Sequence, residues 1–201
     1  ILIYGISFVY GFTGTTNLSE IAQQIDKSTG NNLFLILSIA LITVGLSFKV
    51  AAFPFHMWAP DVYEGAPTPV TAFLSTGSKA AAFAIFIRVF SVAFPALYPQ
   101  WLKLLWMLSA ATMIFGSIVA ISQQNIIRML AYSSIAHAGI ILMGLLSFNE
   151  LGLAGAMYYV LVYTFMNLGV FAVVALFIKK DGIGENIRDY KGLAANQPML
   201  A

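Results

Sequence analysis

The sequence predicts an all-α protein, a polytopic bundle of transmembrane helices. Hydrophobic residues make up 60% of the 201 residues and charged residues only 9%, and the mean hydropathy is +0.86. A soluble domain has about 25% charged residues. Several runs contain about 20 mostly apolar residues, the length that crosses a bilayer as a helix. These runs are uniformly apolar, whereas the strands of a membrane β-barrel alternate in polarity.

The expected spans follow the chain in order. A truncated apolar segment comes first, at about 1–12, and complete spans follow at 33–55, 68–94, 102–122, 126–148 and 153–178. Residues 13–32 are polar, and we expect an external loop there with one short helical turn. We expect residues 179–201 to form a cytoplasmic linker with an amphipathic stretch. Residues 1–201 as a whole are expected to form a single transmembrane domain.

Both ends of the sequence suggest an interior piece of a longer membrane protein. Residue 1 is Ile1, and the stretch ILIYGISFVYGF has the composition of the last part of an apolar helix. It has no basic segment before it and no small-residue cleavage site after it, as a signal peptide would have. The residues near Ala201 resemble the start of another apolar segment.

The basic residues in the connections predict the orientation, because loops rich in Lys and Arg stay in the cytoplasm. One side would carry Lys27, Arg88 and Lys103. The other side would hold the DVYEG turn and more basic residues, and is therefore expected to be cytoplasmic. Its basic residues are Arg128, Lys179, Lys180, Arg188 and Lys191.

The composition excludes several functions. The chain has no cysteine, so its residues cannot ligate an iron–sulfur cluster or form a disulfide. A net charge of +2 is too small to suggest nucleic acid as a partner. The stretch GSK at 77–79 lacks the first glycine and the preceding strand of a phosphate-binding loop. We expect no cofactor and no metal ion in this chain.

Polar side chains inside the predicted spans are the candidate functional residues. Lys49 lies two-thirds along the first complete span, Lys79 near the middle of the second, and His137 near the middle of the fourth. A charge at a helix centre costs roughly 2.5–3.5 kcal/mol on insertion scales, so ionisable residues kept there usually line a wet cavity or a proton path. Asn167, in the last span, is expected to join helices through hydrogen bonds.

Simpler roles compete with these interpretations. Lys49 could extend its side chain to the interface, as we expect for Arg88, whereas Lys79 at the midplane has no such route. His56 lies seven residues after Lys49, hence on the same helical face, and could be structural or functional. His137 could hold a buried hydrogen bond to a neighbouring helix.

A polar turn, DVYEGAPTP, follows the first complete span. Pro54 removes a backbone donor, so the helix should kink or end there. Asp61 and Glu64 are expected to cap the turn, and Gly65 would resist a larger residue if its φ is positive. The turn should be tight and rigid, and should set how the first two complete spans face each other. Its structural residues are Pro54, Pro60, Gly65, Pro67 and Pro69.

The stretch LSTGSKAAAF predicts a broken helix around Ser75–Lys79. Three hydroxyl residues and a glycine directly precede Lys79. Ser and Thr can satisfy carbonyl groups freed by a local break, and glycine loosens the helix. A helix interrupted in mid-membrane is a common way to build an ion site.

Lys49 and Lys79 are expected to act as a coupled pair. Burial disfavours a charged ammonium group, and a second buried cation nearby disfavours it further. Lys49 is the nearest candidate for that second cation, so loading one lysine should help to discharge the other. Arginine could not replace either lysine, because its guanidinium group stays charged.

Two stretches, FKVAAFPFHMWAPDVYEGAPTPVTAFLSTGSKAAAF and RMLAYSSIAHAGIILMG, resemble the antiporter-like subunits of respiratory complex I, the NADH–quinone oxidoreductase. The stretch DVYEGAPTP is most similar to the subunit N type, which includes subunit 2 of mitochondria and of photosynthetic relatives. The resemblance covers most of 33–180. It implies a larger transmembrane helix bundle of the complex I/Mrp antiporter type, with inverted repeats and a broken helix in each.

The resemblance also implies roles for four residues. Lys49 matches the lysine of the first half-channel, and Lys79 the connecting lysine on the first broken helix. His137 matches a polar residue on the central axis, and His56 a histidine near the cytoplasmic mouth. Proton transfer would pass through these four side chains. A glutamate that pairs with the first lysine, and a terminal lysine, would lie outside these residues.

The function implied is that of a proton-translocating membrane subunit, driven by quinone reduction elsewhere in the complex. The chain itself would carry no redox centre. Its partners would be the other membrane subunits and the lipid bilayer, and indirectly the peripheral redox arm and quinone, with no nucleic acid. Its location would be the bacterial inner membrane. The resemblance leaves open whether the chain is the bacterial subunit N type or its photosynthetic relative.

Three alternatives remain at this point. The first is a Mrp-type cation/proton antiporter subunit, which would use the same lysines. The second is a haem-binding electron carrier with His56 and His137 as axial ligands, which the predominance of buried lysines disfavours. The third is a scaffold without transport, which the presence of Lys49 and Lys79 disfavours.

Overall fold

The computed structural model describes residues 1–27, 33–178 and 184–200. These residues are helical apart from turns and one isolated β-bridge, between Asn125 and Asn186. The prediction of an all-α fold is confirmed. Within the described residues, five helical segments are long and apolar enough to cross a membrane: Leu33–Val50, Thr68–Ala93, Pro95–Ser122, Ile126–Leu146 and Glu150–Phe177.

The first three helices are α1 (Leu2–Thr13), α2 (Leu18–Lys27) and α3 (Leu33–Val50). Helix α1 packs closely along α3, since a Cβ on Gly45 would lie 2.6 Å from Leu2 Cβ. Helix α2 is amphipathic and buries Ile21 and Ile25 against residues 89–97. The expectation of a single helical turn in 13–32 is therefore wrong. Apolar residues recur there at every third or fourth position, which is the amphipathic pattern of a helix, and the helix has 10 residues.

Helix α3 ends at Val50 and not at Pro54. Ala51 adopts a φ of 59°, a left-handed conformation that an α-helix cannot continue through. The chain at 51–57 is then held from two sides. The Phe53 amide donates a hydrogen bond to Thr112 Oγ1 at 3.0 Å, and Trp58 Nε1 donates to the Phe48 carbonyl at 2.9 Å.

The polar turn contains two short helices, α4 (Trp58–Gly65) and α5 (Thr68–Phe73). Pro60 is buried within α4, Pro67 is the N-cap residue of α5, and Pro69 lies in its first turn. The Thr71 hydroxyl donates to the Tyr63 carbonyl at 2.9 Å, which ties α5 to α4. Gly65 does not have a positive φ, and a Cβ there would meet nothing within 4 Å. The condition under which we expected strain at Gly65, a positive φ, is therefore not met.

The predicted break in the second complete span takes the form of a π-helical segment, Leu74–Ser78, between α5 and α6 (Lys79–Arg88). The backbone stays helical through it. The hydroxyls of Ser75 and Thr76 both donate to the Ala72 carbonyl, at 2.9 and 2.7 Å, as expected for side chains at a local break. Short π segments are rare and often occur at functional sites. This one places Lys79 at its end, and a second, Val89–Ala93, follows Arg88.

Helices α7 (Tyr98–Ser122), α8 (Ile126–Leu146) and α9 (Glu150–Phe177) complete the described spans. Close approach of α7 and α8 depends on small residues. A Cβ on Gly116 would lie 2.7 Å from the Ala136 amide nitrogen, and one on Gly139 would lie 2.9 Å from the Ser109 carbonyl oxygen. Ser109 Oγ also donates to the Gly139 carbonyl at 2.7 Å. After α9 come a 3-10 turn, Ile187–Tyr190, and α10, Leu193–Asn196.

The connections that were predicted to share one side of the membrane do come together. Arg128 Nη1 contacts Asp61 Oδ1 at 2.9 Å and Glu64 Oε2 at 2.6 Å, and the Asn125–Asn186 bridge adds the 184–190 segment. Asp61 and Glu64 therefore bind α8 through Arg128, and the expectation that they cap the turn is wrong. The cytoplasmic location of this end stays a prediction, and Lys179 and Lys180 lie outside the described residues.

Candidate functional site

Lys79 is the most deeply buried charged group in the described part of the chain. Only 2% of its surface is exposed, because α6 is packed against α3 and α9. Its ammonium group donates to Ser134 Oγ at 2.8 Å and to the Ser134 carbonyl at 3.1 Å. The ring of Tyr63, from α4, lies 5.9 Å from Lys79 Nζ. Side chains from α4 (Tyr63) and α8 (Ser134) thus meet Lys79 of α6.

The hydrogen-bond partners of Lys79 are neutral. In residues 1–27, 33–178 and 184–200 the salt bridges involve Arg128 and not Lys79. A buried ammonium group without a counter-ion has lost its hydration and gained only dipoles, so the charged form is costly.

His137 lies on the same face of α8 as Ser134, three residues further on. Its Nδ1 is 2.7 Å from the Tyr159 hydroxyl of α9, and its ring centroid is 5.3 Å from that of Tyr163. The imidazole is half-buried and close enough to Lys79 to interact with its charge. Two hydrogen-bonded pairs, Lys79–Ser134 and His137–Tyr159, therefore lie between α6 and α9, and Ser134 and His137 are one turn apart on α8; we call these four residues the polar line.

Lys49 is not part of this line. It lies in the last turn of α3 and is exposed on the surface of the described chain. The expectation that Lys49 supplies a second buried cation beside Lys79 is therefore wrong for these residues. The described titratable side chains near Lys79 are those of Tyr63, whose ring centroid lies 5.9 Å from Nζ, and His137. The role of Lys49 in proton transfer stays a prediction.

His56 is buried, but not where it was expected. Because α3 ends at Val50, His56 does not continue the face of Lys49, and its side chain packs between aromatic rings. The ring centroids of Phe53 and Phe115 lie 5.5 and 4.7 Å away. Burial lowers the pKa of His56 below its usual value, which favours the neutral ring. His56 Nδ1 has no hydrogen-bond partner among the described residues.

Several functional candidates were missed by the sequence reasoning. Ser134 and Tyr63 both lie in quoted motifs, AYSSIAH and DVYEG, but only the tertiary structure brings them to Lys79. Tyr159 is one of several tyrosines on α9, and no pattern separated it from the exposed Tyr158. Asn167 is buried, yet its Nδ2 has no partner in the described part of the chain. That nitrogen does not join helices as expected.

The whole chain, residues 1–201, matches the model of the transmembrane NADH:quinone oxidoreductase/Mrp antiporter family. The chain belongs to this family. Family members of known name are closely similar. NADH-quinone oxidoreductase subunit N of Trichlorobacter lovleyi is 50% identical over 201 residues, and that of Moorella thermoacetica is 51% identical over 201 residues. The chloroplastic NAD(P)H-quinone oxidoreductase subunit 2 of Mesostigma viride is 51% identical over 203 residues.

These alignments cover 100% of this chain but only 41%, 42% and 40% of the three relatives. The chain thus spans about two fifths of the length of the curated family members it matches.

Chains of solved membrane complexes have the same fold as this chain. A chain of respiratory complex I from Thermus thermophilus with bound aureothin superposes with a TM-score of 0.79 at 37% identity, covering 99% of this chain and 41% of that chain. A chain of the Mrp complex from Dietzia sp. gives a TM-score of 0.81 at 25% identity, covering 90% and 33%. A chain of the archaeal membrane-bound sulfane sulfur reductase gives 0.85 at 27% identity, covering 99% and 40%.

Proposed function

We propose that this chain is part of a proton-translocating membrane subunit of an NADH–quinone oxidoreductase. It would couple quinone reduction elsewhere in the complex to proton transfer across the membrane. The observation that carries this proposal is the burial of Lys79 at a π segment with only neutral hydrogen-bond partners. The relatives named subunit N at about 50% identity support the choice of complex.

The geometry suits proton transfer better than binding of a substrate. Lys79, Ser134 and His137 contain groups that donate or accept protons, with Lys79 bonded to Ser134 and His137 one turn further along the same helix. A lysine that stayed protonated could not pass a proton on. A lysine that loses its proton becomes a neutral amine, which can accept another proton. Alternate loading and release is the elementary step of a proton relay.

The proposed partners are the other membrane subunits of the complex, and indirectly its peripheral redox arm and quinone. No redox centre is proposed in this chain, since it has no cysteine to bind an iron–sulfur cluster. The packing of His56 against Phe53 and Phe115, and of His137 against Tyr159, favours other roles for these imidazoles than haem ligation. The five apolar spans make the protein an integral membrane protein, and we propose the bacterial inner membrane as its location.

A Mrp-type cation/proton antiporter subunit is the second candidate. The likeness to the Mrp complex, with a TM-score of 0.81, supports it. Its identity of 25%, however, is well below the 50% shared with the subunit N relatives.

Purification of the full-length protein with its partners would separate the two candidates. If the proposal is correct, the protein carries iron–sulfur subunits with it, and the preparation reduces quinone with NADH. Vesicles that contain it then take up protons only when the electron donor is present. Sodium/proton exchange without an electron donor, by a preparation free of iron–sulfur signals, would instead identify the Mrp-type antiporter.

His137→Phe is expected to lower proton uptake while leaving the complex assembled. Phenylalanine fills a similar volume but cannot bind a proton or bond to the Tyr159 hydroxyl, so the polar line from Lys79 ends at Ser134. We expect a loss of roughly tenfold, which is below the 10²- to 10⁴-fold that general acid–base groups typically contribute. The measurement is the initial rate of proton uptake in vesicles, divided by subunit content.

The matched control is Tyr159→Phe, which removes the hydrogen-bond partner of His137 but keeps the imidazole. Its loss should be smaller than that of His137→Phe. If the assembled His137→Phe variant takes up protons at the normal rate, His137 only packs between α8 and α9.

A further inference from the structure

The ammonium group of Lys79 has one donor more than its protein partners use. An ammonium carries three N–H groups, and two of them are directed to the carbonyl and hydroxyl oxygens of Ser134. The Ser134 hydroxyl in turn donates its own proton to the Ala131 carbonyl at 2.7 Å. Since a hydroxyl oxygen has two lone pairs, Ser134 Oγ can accept one further hydrogen bond beyond that of Lys79.

Two tyrosine hydroxyls meet this same point from other helices. Tyr63 projects from α4 and Tyr163 from α9, and both residues are buried, with 0% and 3% of their surface exposed. Both hydroxyls lie close enough to Ser134 to interact with it. Neither has a hydrogen-bond partner of ordinary geometry in the described part of the chain. The carboxamide of Asn167, one turn along α9 from Tyr163, also has an unpaired nitrogen.

Unpaired buried polar groups are costly. Each one loses its hydration without compensation, and native proteins usually satisfy such groups through protein atoms or ordered water. Here the hydroxyls of Tyr63 and Tyr163 approach Ser134, which also accepts a hydrogen bond from Lys79, and the side chain of Asn167 approaches Tyr163. A bridging water needs two to four polar partners, and this set supplies them.

We propose that Tyr63 and Tyr163 hold bridging water beside Ser134, and that Lys79 exchanges its proton with this water. In the release step an N–H bond of the Lys79 ammonium breaks, the nitrogen keeps the electron pair, and the proton passes to a water oxygen. In the loading step the amine takes a proton back from the water. The inference rests on the function proposed above, because it concerns the group with which Lys79 exchanges its proton. Tyr63 and Tyr163 are positioning residues in this scheme.

The tyrosines are suited to hold water without competing for the proton. Burial raises the pKa of Tyr63 well above its usual range, so its hydroxyl stays neutral and acts as a donor and acceptor. The position of Tyr63 is also well defined. Thr71 bonds its backbone carbonyl, and Arg128 clamps the neighbouring residues Asp61 and Glu64 to α8. The α4 helix of the polar turn therefore presents Tyr63 to Lys79 from a fixed site.

The test uses the full-length protein in its complex, with the variants Tyr63→Phe, Tyr163→Phe and the double variant. Each substitution removes one oxygen and keeps the ring, so packing is nearly unchanged. Each single variant should lower proton uptake by about fivefold, the factor expected when one buried hydrogen bond is lost. The double variant should lose less than the product of the two, because both hydroxyls hold the same water. Tyr158→Phe, on the exposed face of α9, is the matched control and should not change proton uptake.

A second measurement separates water binding from packing. Infrared difference spectra in water and in ¹⁸O-labelled water report the O–H stretch of internal water directly. The wild-type complex should show a labelled-water band that Tyr63→Phe and Tyr163→Phe remove or shift, and that Tyr158→Phe retains. Where the double variant fails to assemble, the two single variants decide.

The inference is overturned if assembled Tyr63→Phe and Tyr163→Phe variants both take up protons normally, or if both retain the wild-type water band. Its failure differs from failure of the proposed function. Normal uptake in these variants beside impaired uptake in Lys79→Arg rejects the water site alone, whereas normal uptake in Lys79→Arg rejects the relay itself.

Discussion

Lys79→Ala and Lys79→Arg are both expected to lower proton uptake by the assembled complex, by roughly tenfold or more, equivalent to about 1.4 kcal/mol in the barrier. Alanine removes the group that carries the proton. Arginine keeps the positive charge, but its guanidinium group stays protonated in proteins. Both variants therefore lack a side chain that can alternate between two protonation states. The Arg variant is the more informative one, because it separates proton exchange from fixed charge.

Arginine also fits the site poorly for a second reason. Lys79 ends in a compact group that bonds two oxygens of a single residue, Ser134. A planar guanidinium would need more room and more acceptors. Subunit content must therefore be measured beside proton uptake, so that loss of assembly is not counted as loss of transfer.

The measurement is proton uptake in vesicles energised by the electron donor, together with the rate of quinone reduction. Lys27→Arg, at the exposed end of α2, is the matched control and should behave as wild type. Normal proton uptake in an assembled Lys79→Arg variant would reject the relay role and leave Lys79 as a fixed charge.

Gly139→Ala is expected to destabilise the protein by about 1–3 kcal/mol, the usual cost of overpacking a close contact. The added methyl would lie 2.6 Å from Met113 Cγ and 2.9 Å from two backbone atoms of α7, at Met113 and Ser109. The methionine side chain can move, but the backbone atoms cannot move without separating α7 from α8. The Ser109–Gly139 hydrogen bond would be strained by the same shift.

The effect should extend to the functional site, because α8 also carries Ser134 and His137. Displacement of α8 changes the position of Ser134 relative to Lys79, so proton uptake per assembled subunit should fall as well. The measurement is the melting temperature of the purified protein in detergent, followed by proton uptake.

Gly169→Ala on α9 is the matched control. It adds the same methyl group to another transmembrane helix, where a Cβ would meet nothing within 4 Å. Its melting temperature should stay close to that of the wild type. Equal melting temperatures for Gly139→Ala and Gly169→Ala would show that the α7–α8 contact tolerates a side chain.

The sequence by itself determined the helical membrane architecture. Long apolar runs can only satisfy their backbone groups in lipid as helices, so composition and run length predicted five apolar helical segments. Their bounds were less exact, since the segment predicted at 102–122 is Pro95–Ser122 and the one predicted at 33–55 is Leu33–Val50. The hydroxyls before Lys79 predicted a local change in helix geometry, which is the π segment at Leu74–Ser78. The burial of Lys79 followed from its midplane position, because the span has no interface within reach of its side chain.

The tertiary structure alone decided which side chains meet. Ser134 lies 55 residues from Lys79 in the chain, and no periodicity within one helix reports how another helix is rotated against it. The backbone conformation of Ala51 ended α3 early and removed His56 from the face of Lys49. Helical spacing holds only while the helix continues, and side-chain partners depend on packing between helices. The site around Lys79 is therefore a property of the assembled bundle and not of any single span.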